Sequence, residues 1–138
     1  MNVDLLATFR GPVSSWRLEP VIRSVPAALY MVLIHVVSSV EGRKISSFAV
    51  DDRIAHYVEY FILGVLLVLA LSAFDRKGRP WRIAVFVIAL AALYGAIDEY
   101  HQSFVAGRVA SVKDLGFDVA GASTSALLIR WLAWRERT

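Results

Sequence analysis

Two ten-residue stretches, 61–70 (FILGVLLVLA) and 83–92 (IAVFVIALAA), contain no polar side chain. A helix lying against a soluble core needs a wet stripe on its outer face, and neither stretch can provide one. They belong to four apolar blocks, about residues 22–40, 58–74, 81–97 and 115–134, joined by short polar connections without a Ser/Gly-rich linker. Each block approaches the ~20 residues that cross a bilayer, and the shorter ones gain a turn from their flanks. Four such spans would take ~80 of the 138 residues, about the 57% of the chain that is hydrophobic. The expected fold is therefore all-α, an integral membrane bundle of four transmembrane helices. That composition argues against a soluble enzyme, a disordered chain or a nucleic-acid-binding protein. The absence of cysteine excludes disulfides and thiolate metal sites.

Residues 1–20 differ from the rest. Asp4, Arg10, Arg17 and Glu19 stand among scattered apolar residues, with Pro12 and Pro20 as breakers. This reads as an interfacial N-terminal segment, with residues 21–138 forming the helical domain. The first span has the character of an uncleaved anchor.

Basic residues stay on the cytoplasmic side, so they set the orientation. Ten Lys and Arg fall in the N-terminal segment, the second connection and the C-terminal end, against five in the first and third connections. Both termini are thus expected in the cytoplasm, with the first and third connections outside. The tryptophans Trp16, Trp81, Trp131 and Trp134 all fall toward the inner side, where they suit an interfacial belt.

This orientation sorts residues it was not based on. Eight of the twelve acids lie at the outer end: Glu41, Asp51, Asp52, Glu59, Asp98, Glu99, Asp114 and Asp118. His56 and His101 join them, with His35 just inside. Asp52, His56 and Glu59 follow i, i+4, i+7 spacing on one face of the second helix. Asp98 and Gln102 are an i, i+4 pair, Glu99 and Gln102 an i, i+3 pair, and Asp114 and Asp118 are again i, i+4. Gly121, Ala122 and Ser125 continue the fourth helix's face with residues small enough to let a neighbour approach closely. An ionised acid facing lipid at this depth costs on the order of 1–3 kcal/mol, so these groups are expected to turn inward to a shared site.

The same residues resemble the VanZ-like family. Asp52, Arg53 and His56 stand where that family has D-K-x-x-H; Asp98, Glu99, Gln102, Phe104 and Arg108 match D-E-x-x-Q-x-F-x-P-x-R; Asp114, Asp118 and Gly121 match D-x-x-x-(D/N)-x-x-G. The likeness covers about residues 50–125. Arg53 replaces the usual Lys and keeps its charge, and Ala106 replaces the usual Pro. The resemblance implies a multi-pass protein of the bacterial cell envelope, in a family named for a member linked to teicoplanin resistance.

Chemistry suggests roles for these groups. His56 would serve as general acid/base, oriented by Asp52 or Glu59, with Glu99 in the same catalytic group. Arg108 would clamp a phosphate or carboxylate, with Gln102 and Asp98 holding the head group. Asp114 and Asp118, with Glu99 beside them, leave room for a divalent cation on oxygen ligands. The substrate would be a lipid-linked or phosphate-bearing envelope molecule, such as a lipid-linked glycan, met at the outer leaflet. The activity would be that of a hydrolase or transferase.

Plainer readings stand beside these. Glu59 can simply pair with Arg108, His56 can bridge helices, and Asp114 can be the N-cap of the fourth helix. His35 and His101 read as core and surface histidines, and Ser123, Thr124 and Ser125 as packing residues. A non-catalytic protein that binds a lipid head group, a glycopeptide or a partner helix fits the same pattern. A transporter of this length would need an oligomer.

Overall fold

The computed structural model describes residues 19–40, 51–74 and 79–135. Four helices follow one another: α1 (Glu19–Ser38), α2 (Asp52–Ser72), α3 (Pro80–Gln102) and α4 (Val112–Arg135). There is no strand among the described residues. The expected interfacial segment falls, apart from Glu19 and Pro20, outside them.

Local chemistry sets the helix ends. Asp51 caps α2, its carboxylate accepting from the Arg53 amide at 3.0 Å. Pro80 opens α3, where its missing N–H costs nothing. The Asp114 amide donates to Ser111 Oγ at 3.3 Å, so Ser111, and not Asp114, caps α4. In α1, Arg23 pairs with Glu19 one turn back at 2.6 Å. Pro26 lies within α1, as membrane helices tolerate.

The exterior is as apolar as the core, unlike that of a protein in water. The interior is rich in small residues, Ala27, Ala84, Ala91, Ala122, Ala126 and Ser125 with Gly64, Gly95 and Gly121, packed around a few large ones, Ile34, Tyr60, Leu63 and Val87. Large apolar side chains such as Leu29, Val36, Phe86, Leu93 and Ile97 are more than half exposed. In water so much exposed hydrocarbon would drive aggregation, whereas in lipid it is the expected outer surface. Helices α1, α2 and α3 are each long and apolar enough to cross a membrane. Helix α4 has the length, at 24 residues, but Asp118, Ser123, Thr124, Ser125 and Arg130 dilute its apolarity, and it is not among them.

Packing places α4 mainly against α2 and then α3, while α1 leans on α2 and touches α3 more lightly. The fit of α2 to α4 depends on two glycines. A Cβ on Gly121 would sit 2.2 Å from the Tyr57 carbonyl oxygen, and one on Gly64 would sit 2.9 Å from Ala122 Cα. Alternating chain direction then brings the C-terminal ends of α1 and α3 together with the N-terminal ends of α2 and α4. The opposite end carries Arg82 over Trp81 at 6.0 Å and Arg135 over Trp131 at 5.5 Å.

Candidate functional site

The polar residues singled out from the sequence gather at one end of the bundle. On α2, the buried face runs His56, Tyr60, Leu63, Leu67 at helical spacing, with Asp52 exposed one turn before His56 and Glu59 half-buried one turn after it. On α3 the buried face ends in Gly95, Asp98, Glu99 and Gln102. On α4 it begins at Asp118 and continues through Gly121, Ala122 and Ser125.

His56 and Asp118 form the centre. Nδ1 of His56 lies 2.9 Å from Oδ1 of Asp118, with the two residues 5% and 1% exposed. The sequence spacing suggests Asp52 or Glu59 as the partner; the structure gives that place to Asp118, from a different helix. Gly95 makes it possible, because a Cβ there would stand 2.8 Å from Asp118 Oδ2. A carboxylate only accepts hydrogen bonds, so pairing with an ionised Asp118 keeps the proton on Nδ1 and leaves Nε2 as the free ring nitrogen.

Glu99 stands beside this pair. The Ser111 amide donates to its Oε2 at 2.6 Å, which ties the loop after α3 back to the helix it leaves. Gly107, at φ 77°, adopts the left-handed conformation that lets this loop turn. One ligand atom each from His56, Glu99 and Asp118 lie within 4.8 Å of one another, and the same holds for Asp52, His56 and Asp114. Glu99 Oε1 and Asp118 Oδ2 are buried without a hydrogen-bond partner, as are Arg108 Nε and Tyr60 Oη. Bare buried oxygens of this kind call for a proton, a water or a cation.

In front of the pair is a cavity of about 350 Å³, lined on its polar side by Ser38, Asp52, His56, Glu59, Gln102 and Arg108. Five of the nine residues expected to form the site thus share one hollow. Glu99, Asp98 and Asp118 are buried behind it and do not line it, and neither does the half-buried Asp114. Arg108 does not pair with Glu59: its Nη1 stands 3.7 Å from Asp52 Oδ1, a loose contact.

Asp98 joins helices. It accepts from Ser38 Oγ of α1 at 2.6 Å and from Gln102 Nε2 at 2.8 Å, so both its oxygens are engaged. Nearby, the rings of His35 and His101 lie with centroids 4.3 Å apart, tilted 42° to one another, and Ser39 Oγ lies 3.0 Å from His101 Nε2. Sequence reasoning passed over Ser38, Tyr30 and Tyr60. Ser38 ends an apolar block where a serine reads as a terminator, and the two tyrosines sit in runs whose apolar character hides a hydroxyl.

No curated protein and no solved structure matches the chain. A family model described as VanZ/LLP1 matches residues 7–133, which include all four helices apart from the last two residues of α4. With the match spanning nearly all of its length, the chain belongs to the VanZ/LLP1 family.

Proposed function

We propose that this is a protein of the bacterial cell envelope that crosses the inner membrane four times, with both termini in the cytoplasm and its polar cavity opening at the outer leaflet. There it acts on a lipid-linked, phosphate-bearing envelope molecule. The observation that carries the reading is the cavity: a histidine, two acids, an amide and an arginine share one hollow in a bundle whose flanks suit lipid. Such groups are costly at membrane depth, and a substrate site is the use that best accounts for gathering them. Arg108 grips the anionic head group, and its loose contact with Asp52 leaves it able to do so. Gln102, whose amide is held by Asp98, lies beside it. His56 works as acid/base through Nε2 while Asp118 holds the ring from behind. The basic and aromatic residues at the opposite end support the orientation.

The test is turnover. Protein reconstituted with envelope lipid extracts should alter a phosphate-bearing lipid, and His56→Ala should abolish the change while the fold survives. Absence of any product, with lipid binding that Arg108→Ala removes, would make this a binding protein instead. Because the chain lacks cysteine, orientation can be read directly. A cysteine introduced near residue 48 should label from outside and one near residue 78 should not; the reverse would overturn an outward site.

A second reading draws support from the bare oxygens of Glu99 and Asp118. In it His56, Glu99 and Asp118 hold a divalent cation, with Asp114 and Asp52 on its outer side, and the imidazole is a ligand rather than a base. Equilibrium dialysis against Mn²⁺ or Zn²⁺ separates the readings. One ion per chain, lost in Glu99→Gln, supports the cation; no binding leaves the acid/base reading.

A further inference from the structure

The cavity has a second side. Besides its polar residues it is lined by Ile54, Val58 and Ile62 of α2 and by Tyr30 and Val37 of α1. Ile54, Val58 and Ile62 repeat every four residues and so form one stripe. They are 57%, 48% and 40% exposed, and Val37 facing them is 43% exposed. The side chains that bound the polar hollow are therefore the same ones that meet the surrounding hydrocarbon. Among the described residues, no polar side chain stands between the two along this stripe.

Three further observations bear on how this seam is used. A volume of about 350 Å³ lies at the low end for small-molecule sites, enough for a head group and too small for a whole lipid. The hydrocarbon of a lipid bound there must lie outside the hollow. The stripe from Ile54 to Ile62 runs ~12 Å along the helix, within one leaflet of a core ~30 Å thick. Finally, among the described residues α1 packs on α2 through apolar contact alone: its polar bonds to other helices are Ser38 to Asp98, Tyr94 to the Met31 carbonyl, and Ser39 to His101, all on α3 or its end. None crosses to α2.

We infer that the seam between α1 and α2 is a lateral portal. The ligand is a membrane-resident amphiphile whose anionic head sits at Arg108 and whose hydrocarbon chain leaves the cavity along Ile54, Val58 and Ile62, past Tyr30 and Val37. It is taken from the leaflet and not from water. The inference rests on the reading of the cavity as a head-group site, and it adds the substrate class, the route of entry and the residues that select for a chain.

The test uses the full chain in nanodiscs containing phosphatidate with a photoactivatable diazirine near the end of one acyl chain. Labelling should concentrate on peptides carrying residues 54–62 and 30–37. Unlabelled phosphatidate should compete for it, and glycerol 3-phosphate should not. Val58→Trp, which fills the seam, should lose this labelling, whereas Leu93→Trp on the exposed face of α3 should keep it; Ile54→Trp replaces Val58→Trp if that variant fails to fold. Labelling spread evenly over α1, α2 and α3, unchanged by Val58→Trp, would overturn the portal. A second copy of the chain cross-linked through the seam would overturn it too. Diacylglycerol serves as the control for the site reading itself. If a diazirine-bearing diacylglycerol labels the seam as well as phosphatidate does, and Arg108→Ala changes neither, the portal stands and the head-group site fails. If phosphatidate raises the thermal midpoint in an Arg108-dependent way while labelling is uniform, the site stands and the portal fails.

Discussion

Helix α2 meets α4 and α1 in two different ways. Toward α4 it presents Tyr57, Phe61 and Gly64 to Gly121, Ala122 and Ser125, with backbones close enough that a single added carbon at Gly121 would collide with a carbonyl. Toward α1 it packs less extensively, through apolar contact, and borders a cavity of about 350 Å³ with no polar bond across it among the described residues. The difference separates two demands on one helix. His56 is held against Asp118 at hydrogen-bond distance, which needs a rigid neighbour; its other side borders the cavity, and under the proposed function that space admits a ligand. Small residues secure the first seam, because lipid gives no hydrophobic drive to helix association and close contact must supply the attraction.

The contrast breaks most easily at Gly121. Gly121→Val places branched bulk where the Tyr57 carbonyl and Phe61 amide already stand, and backbone atoms cannot rotate away. The expected cost exceeds about 3 kcal/mol, seen as failure to recover folded, monodisperse protein in detergent. The matching change across the other seam, Val37→Ala at the cavity rim, should move stability by no more than about 0.5 kcal/mol. Comparable losses at both positions would show that the two seams are equally tight.

Asp118→Ala comes next. It leaves His56 buried without its partner and should cost about 3 kcal/mol by reversible unfolding in bicelles. Asp118→Asn retains a hydrogen-bonding group and should cost less. An Asp118→Ala protein as stable as the parent would mean that the α2–α4 seam holds without the pair and that their meeting is incidental to the fold.

Much of this could be read from residue order, and the limit has a physical cause. Hydropathy reports depth: the apolar block 81–97 lies within α3, and the block 58–74 within α2 but for its last two residues. Helical spacing reports faces, so the Gly121, Ala122, Ser125 stripe was legible as a close-packing surface, as was the gathering of acids at one end. Neither signal reports how one helix is rotated against another. For that reason Asp118 could not be chosen over Asp52 as the partner of His56, nor Asp52 over Glu59 as the neighbour of Arg108. Capping was ambiguous in a similar way, since Ser111 and Asp114 are both good caps three residues apart and only the observed helix start decides between them. Ser38 was missed because its value lies in a contact with Asp98, sixty residues away.

Ser38→Ala sharpens the account of α1. The bond from Ser38 to Asp98 is the buried one among the side-chain bonds that hold α1 to the bundle. Removing it should cost about 1 kcal/mol, in the range of interhelical hydrogen bonds in membranes, with the change read as lower thermal stability. Ser38 lines the cavity together with His56 but bonds to Asp98 and not to the His56–Asp118 pair, so lipid turnover should fall less than it does in Asp118→Asn. A Ser38→Ala effect as large as that of Asp118→Ala would make α1 part of the rigid half and remove the asymmetry.

The smallest expected effect tests whether α4's glycines serve the seam or merely the helix. Gly116 and Gly121 lie five residues apart on α4, yet a Cβ on Gly116 would meet nothing within 4 Å. Glycine within a helix costs roughly 0.5–1 kcal/mol relative to alanine through the freedom it loses on folding. With no neighbour to strike, Gly116→Ala should therefore be neutral or stabilising by up to that amount, while Gly121→Ala, with its Cβ 2.2 Å from a carbonyl oxygen, should destabilise. Opposite signs for one substitution on one helix would locate the constraint in the contact with α2. Equal losses at both positions would place it in α4 itself, and the tight seam would then be a consequence of that helix's composition rather than the reason for it.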